Sequence, residues 1–133
     1  MATFHGPSKT FSAAAATNLS AAANVGLVVA LDGNGDIVLS GHPGTDAIGI
    51  LEDGGRAAGD ACLVAMTGRV TRGQAGAVFN EGDRLTAAAD AQLEPVASAA
   101  DIVCAVALQA ATVAGDLVDV MVAGFQQNHD GNP

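Results

Sequence analysis

"Ala58-Gly59-Asp60-Ala61-Cys62-Leu63-Val64-Ala65-Met66-Thr67-Gly68" recurs in altered form as "Ala114-Gly115-Asp116-Leu117-Val118-Asp119-Val120-Met121-Val122-Ala123-Gly124", at an offset of 56 residues. In each copy a Gly-Asp turn feeds a segment with apolar residues at every second position: Cys62, Val64 and Met66, then Val118, Val120 and Val122. A period of two is the mark of a strand with one buried face. The same offset carries Asn24 to Asn80, Gly26 to Gly82, Ile37 to Leu93, and Ile48, Ile50 and Glu52 to Cys104, Val106 and Leu108. Two related halves follow, residues 24–69 and 80–125.

The repeat resolves a conflict in the alanine-rich run from Ala97 to Ala111. Alanine is the best helix former, so propensity alone favours a helix there. Its counterpart, Asp46 to Glu52, contains Ile48-Gly49-Ile50, and Ile102, Cys104, Val106 and Leu108 keep a period of two. The expectation is a strand.

A third stretch, Leu31-Asp32-Gly33-Asn34-Gly35-Asp36-Ile37, resembles the start of a calcium loop. Such a loop needs glycine at position 6 and a bidentate Glu at position 12. Counted from Asp32, those places hold Ile37 and Pro43. Asp-Gly and Asn-Gly instead supply the positive φ angles of a hairpin tip between two short Val/Ile/Leu runs. With short strands and turns every eight to twelve residues, the fold expected is all-β. The expectation is a sandwich or small β-barrel with two pseudo-repeats related by a pseudo-twofold. Two copies are too few for a solenoid.

The domain so defined spans residues 24–125, between an N-terminal arm (1–23) and a polar tail (126–133). The arm shows neither alternation nor a helical stripe, yet it holds two of the four phenylalanines, Phe4 and Phe11. Either they dock on another surface or they fold back on their own sheet.

The chain has 133 residues, half of them hydrophobic but only 3% aromatic, so its interior must be built from small aliphatic groups. Its formal net charge of -9 repels phosphate backbones, which argues against nucleic-acid binding. No run approaches the roughly eighteen apolar residues of a membrane span. A leader peptide is disfavoured by the late single Lys9 and an apolar run made only of alanine.

Candidate chemistry is sparse. Cys62 and Cys104 fall on alternating apolar faces, as buried thiols do. His5, His42 and His129 stand singly, without the close spacing of a zinc site. Asp60 and Asp116 recur at one repeat position, where an aspartate commonly accepts hydrogen bonds from turn amides. Gly73-Gln74-Ala75-Gly76 lacks the Lys-Ser or Lys-Thr of a phosphate loop. No catalytic, metal or cofactor site is indicated, and the chain reads as a non-enzyme.

The succession Gly44-Thr45-Asp46-Ala47-Ile48-Gly49-Ile50-Leu51-Glu52, Ala58-Gly59-Asp60, Gly68-Arg69-Val70, Glu81-Gly82-Asp83-Arg84-Leu85 and Ala114-Gly115-Asp116-Leu117-Val118-Asp119-Val120 resembles the capsid cement or head decoration proteins of tailed bacteriophages. The likeness runs from about Ala22 to Ala123 and leaves Phe11 to Ala23 unplaced. It implies a small β-barrel or β-tulip-like sandwich with an extended N-terminal arm, and a homotrimer on the outer surface of an icosahedral head, made in the host cytoplasm, with the major capsid protein as partner and stabilised capsomer contacts as its function. On that reading Phe4, Phe11 and Leu19 are the arm's capsid anchors, and Arg69 and Arg72 are interface cations. The alternative is a β-clip module binding a ligand or carbohydrate. It would need aromatic platforms, and the domain holds only Phe79 and Phe125.

Overall fold

The computed structural model describes residues 9–42 and 46–127. Turn residues divide the chain into short extended pieces that pair locally. β1 (Thr10–Ala14), β2 (Val28–Leu31), β3 (Ile37–Leu39), β4 (Ala47–Asp53) and β5 (Ala61–Ala65) form one sheet, in the order β1-β5-β4-β2-β3. β6 (Val70–Gln74), β7 (Arg84–Ala87), β8 (Leu93–Pro95), β9 (Ile102–Ala107) and β10 (Leu117–Gln127) form the second, in the order β6-β10-β9-β7-β8. Every ladder is antiparallel, and the second order is the first advanced by five strands. The fold is all-β, a sandwich of two duplicated sheets.

The hairpin tip expected at Leu31–Ile37 is present. Leu31 pairs with Ile37, and Asp32 Oδ1 accepts the amides of Asn34 at 2.8 Å and Asp36 at 3.0 Å. In the second half Ala91 (φ 69°) stands where Gly35 (φ 80°) stands in the first. The alanine-rich run is extended as expected, but only over Ile102–Ala107. Just before it, Asp101 accepts the amides of Ala97 (2.8 Å) and Ser98 (3.2 Å), so its carboxylate holds a turn there.

Each sheet rolls until its edges touch at one parallel bridge, Ala15 to Ile37 in the first and Ala75 to Leu93 in the second, without a continuous closing ladder. The first roll encloses Ala15, Leu19, Val29, Ile37, Leu51, Cys62 and Val64. Their counterparts Ala75, Phe79, Leu85, Leu93, Ala107, Val118 and Val120 fill the second. Burial of one such Val, Leu or Ile contributes about 1.5–3 kcal/mol.

This equivalence corrects two expectations. The repeat begins before residue 24, because β1 is the counterpart of β6: Ala15 N–H donates to Asp60 O and Ala75 N–H to Asp116 O, while Met66 N–H donates to Lys9 O and Val122 N–H to Arg69 O. Residues 10–19 therefore belong to the domain and not to a separate arm. The offset is 60 there and 56 later, since the first half carries four additional residues, Ser20–Ala23, around a short 3-10 turn. β1 escaped the pattern because its alternation, Thr10-Phe11-Ser12-Ala13, is brief and runs straight into Ala14-Ala15-Ala16, where alanine marks neither face.

The second correction concerns symmetry. A row across the first sheet, Thr10–Ala65–Ile50–Val28, is set by the ladder registers. Ala65, Ile50 and Val28 in it are fully buried and join the cluster of the second half. The corresponding row, Val70–Met121–Val106–Arg84, has Val70 56% and Met121 38% exposed. A pseudo-dyad would give both rows one environment. The halves are instead joined head to tail.

At this junction the outer edge of β6 and the β7–β8 turn meet the first sheet. Gln74 N–H donates to Gly26 O at 2.9 Å and Val28 N–H to Ala91 O at 2.8 Å. Gln74 Nε2 donates to Ala23 O at 2.8 Å, and Thr67 Oγ1 to Ala123 O at 2.8 Å.

Candidate functional site

The residues singled out from sequence scatter. Phe4, His5 and His129 lie outside the described residues. Phe11 sits in β1 opposite Val64, half-buried against the first interior. Leu19 is 4% exposed, and its carbonyl lies so close to Gly54 that a Cβ there would stand 1.8 Å away. In this conformation Leu19 is an internal anchor of its own domain. Arg69 is likewise engaged within the chain, its Nε 2.5 Å from Glu52 Oε2 and its Nη2 3.1 Å from Oε1. That bidentate pair spans the two halves and, chiefly through the hydrogen bond, raises the guanidinium pKa further. Arg72 projects outward, 68% exposed, with its Nε 3.7 Å from Asp119 Oδ1.

The thiols are far from reactive. Burial pushes Cys104 up to about 12. Burial, followed by the negative charges of Asp53 and Asp60, also raises Cys62. A nucleophile needs the thiolate, which both environments suppress. His42 meets neither sulfur as a partner; its Nδ1 is 3.0 Å from Ala87 O, and the ring faces Glu94 and Asp101 at 3.6 Å each. It is a strut between the halves.

Asp60 and Asp116 each close a turn. Asp60 Oδ2 accepts the amides of Arg56 (3.2 Å) and Ala57 (3.1 Å), and Asp116 Oδ2 those of Thr112 (3.0 Å) and Val113 (3.2 Å). The Thr112 and Val113 amides, in that order, hold the Asp116 carboxyl below the usual range. Among the described residues no three His, Cys, Asp or Glu side chains converge as metal ligands. Phe79 is 2% exposed, leaving it no face for a sugar ring.

The surface offers broader features. Val70, Met121 and Val106 form an apolar row on the second sheet, ending beside a 360 Å³ depression lined by Arg84, Val103, Ala123, Gly124 and Gln126. On the first half, Lys9, Thr10, Phe11, Met66 and Thr67 line an apolar depression of 330 Å³ beside β1, which among the described residues has β5 as its one ladder partner. Sequence reasoning missed both. The second offset of 60, which matches Lys9 with Arg69 and Ala15 with Ala75, was the signal that could have exposed them.

These features define a tandem-repeat β-protein whose exposed apolar features lie on sheet faces and edges. Neither a protein-family model nor a curated protein sequence matches the chain. Among solved structures, the chain is similar to the head fiber gp8.5 N base in bacteriophage phi29, with a TM-score of 0.59 and 20% sequence identity. The match covers 90% of this chain and 98% of that one. The resemblance to phage head proteins drawn from the repeat motifs thus meets a phage head protein of shared fold.

Proposed function

We propose that this chain is a structural protein of a tailed-phage virion, seated on the outer surface of the head and bound to the major capsid protein. It acts there as a homotrimer that reinforces contacts between capsomers. The observation that carries this reading is the shared fold with a head fiber base over nearly the whole of both chains. The net charge of -9 suits a protein that must not adhere to DNA. The role asks for no catalysis, and the buried thiols and turn-closing aspartates fit that. Several copies held together would let weak single contacts sum to firm attachment.

The capsid contacts fall to the leading segment, with Phe4 as its apolar anchor and Phe11 at its root, and to Arg72 among the basic residues. Leu19 and Arg69 serve the fold instead. The test is co-sedimentation with matured capsids lacking the protein. Full-length chain should pellet with them at micromolar concentration, and its absence from the pellet would refute the proposal. Removing residues 1–8 spares β1 and should weaken attachment without loss of fold; unchanged affinity would rule out the leading segment as an anchor.

A further inference from the structure

The head-to-tail junction leaves each chain with one unused copy of both of its sides. We propose that the row Val70–Met121–Val106 on the second half docks against the β1 edge and β2–β3 turn of a second copy, repeating between chains the junction that joins the halves within one.

The row is the counterpart of Thr10–Ala65–Ile50, of which Ala65 and Ile50 are fully buried in the cluster of the second half in the same chain. Its apolar character is retained although it faces solvent, with Val70 56% and Met121 38% exposed. The complementary side is equally present. Within the chain it consists of the β6 edge at Gln74 and the β7–β8 turn at Ala91, which bond Gly26 and Val28. Its counterparts on the first half are the β1 edge at Ala14 and the β2–β3 turn around Gly35, where Leu31 is 37% exposed. Ala15 bonds toward the β5 side through Asp60 O and Gly59 N. Strand alternation therefore turns the Ala14 N–H outward, as the Gln74 N–H is turned toward Gly26.

Two further contrasts fit a missing copy. A Cβ on Gly26 would lie 2.9 Å from Gln74 N and 2.9 Å from Leu117 Cδ2, whereas one on Gly82, its counterpart, meets nothing within 4 Å. Gly82 keeps the same left-handed backbone (φ 85° against 91°) with no neighbour to require it; a docked copy would bring Ala14 against it. Where the first row has Val28 the second has Arg84, and where the β7–β8 turn has Ala88 and Gln92 the β2–β3 turn has Asp32 and Asp36. The exchange places opposite charges across the proposed contact. A contact of this kind is heterologous, so it builds rings or open chains and never a two-fold dimer. It deepens the proposed function by naming the face through which the trimer forms.

The test reads mass in solution by sedimentation velocity, without capsids, so its failure and the failure of capsid attachment are told apart. Wild type should assemble at micromolar concentration, and Met121→Glu and Leu31→Glu should each be monomeric with wild-type circular dichroism. Mixed, those two variants should give a one-to-one heterodimer, since each keeps the surface the other has lost. Val70→Asp and Ala14→Pro serve as the second pair if either variant misfolds; proline is tolerated on an outward-facing edge. A monomeric wild type, a two-fold dimer, or a mixture without heterodimer would overturn the inference.

Discussion

Replacing Gly26 and Gly82 by alanine, one at a time, measures the junction against its uncovered counterpart. Both glycines have a left-handed backbone, φ 91° and 85°, which costs an alanine about 1–2 kcal/mol at either position. Only at Gly26 does the new methyl meet matter, 2.9 Å from Gln74 N, 2.9 Å from Leu117 Cδ2 and 3.2 Å from Arg72 O. Two of those atoms are backbone of β6, so the strand must retreat and loosen the Gln74 N–H to Gly26 O bond. Overpacking of this kind adds about 1–3 kcal/mol. The expected losses are therefore about 2–5 kcal/mol for Gly26→Ala and about 1–2 kcal/mol for Gly82→Ala. Urea unfolding should be followed in a Met121→Glu background, which keeps every chain monomeric and Gly82 open. Equal losses at the two sites, or a larger one at Gly82, would refute the head-to-tail account of the junction.

Glu52→Gln should destabilise the chain by about 1–3 kcal/mol, because a half-buried bidentate pair is reduced to a neutral contact; an unchanged urea midpoint would show that the pair does not hold the halves together. Asp116 has a folded pKa below its unfolded value of about 3.9, so its contribution is present above that value and is lost as the pH falls through the folded pKa. Asp116→Asn should therefore flatten the acid limb of a stability-pH curve below about pH 4 while leaving its shape near neutrality unchanged, and an unaltered acid limb would contradict the turn-closing role. Cys104, raised to about 12 by burial, should react with a thiol reagent at pH 8 only as fast as the native state opens. Labelling at the rate of an exposed cysteine would place the sulfur outside the core.

Sequence by itself determined what short-range chemistry can determine. Asp32, Gly33, Asn34 and Gly35 specify a tight tip whatever surrounds them, since turn geometry needs only positive φ and a nearby carboxylate. The alternation of Cys62, Val64 and Met66, repeated by Val118, Val120 and Val122, defines two strands of one kind. The duplication then overrules alanine's helical preference at Ile102–Ala107. Only the tertiary structure decided that β1 is a strand, because Thr10–Ala14 acquires its conformation from the β5 edge and not from its own residues. It alone decided that Leu19 turns inward and that Arg69 meets Glu52. Above all it decided which row is covered. Ile50 and Val106, or Ala65 and Met121, are alike to any pattern of periodicity, and what separates them is the other half of the molecule, which rests on one row and leaves its twin in water.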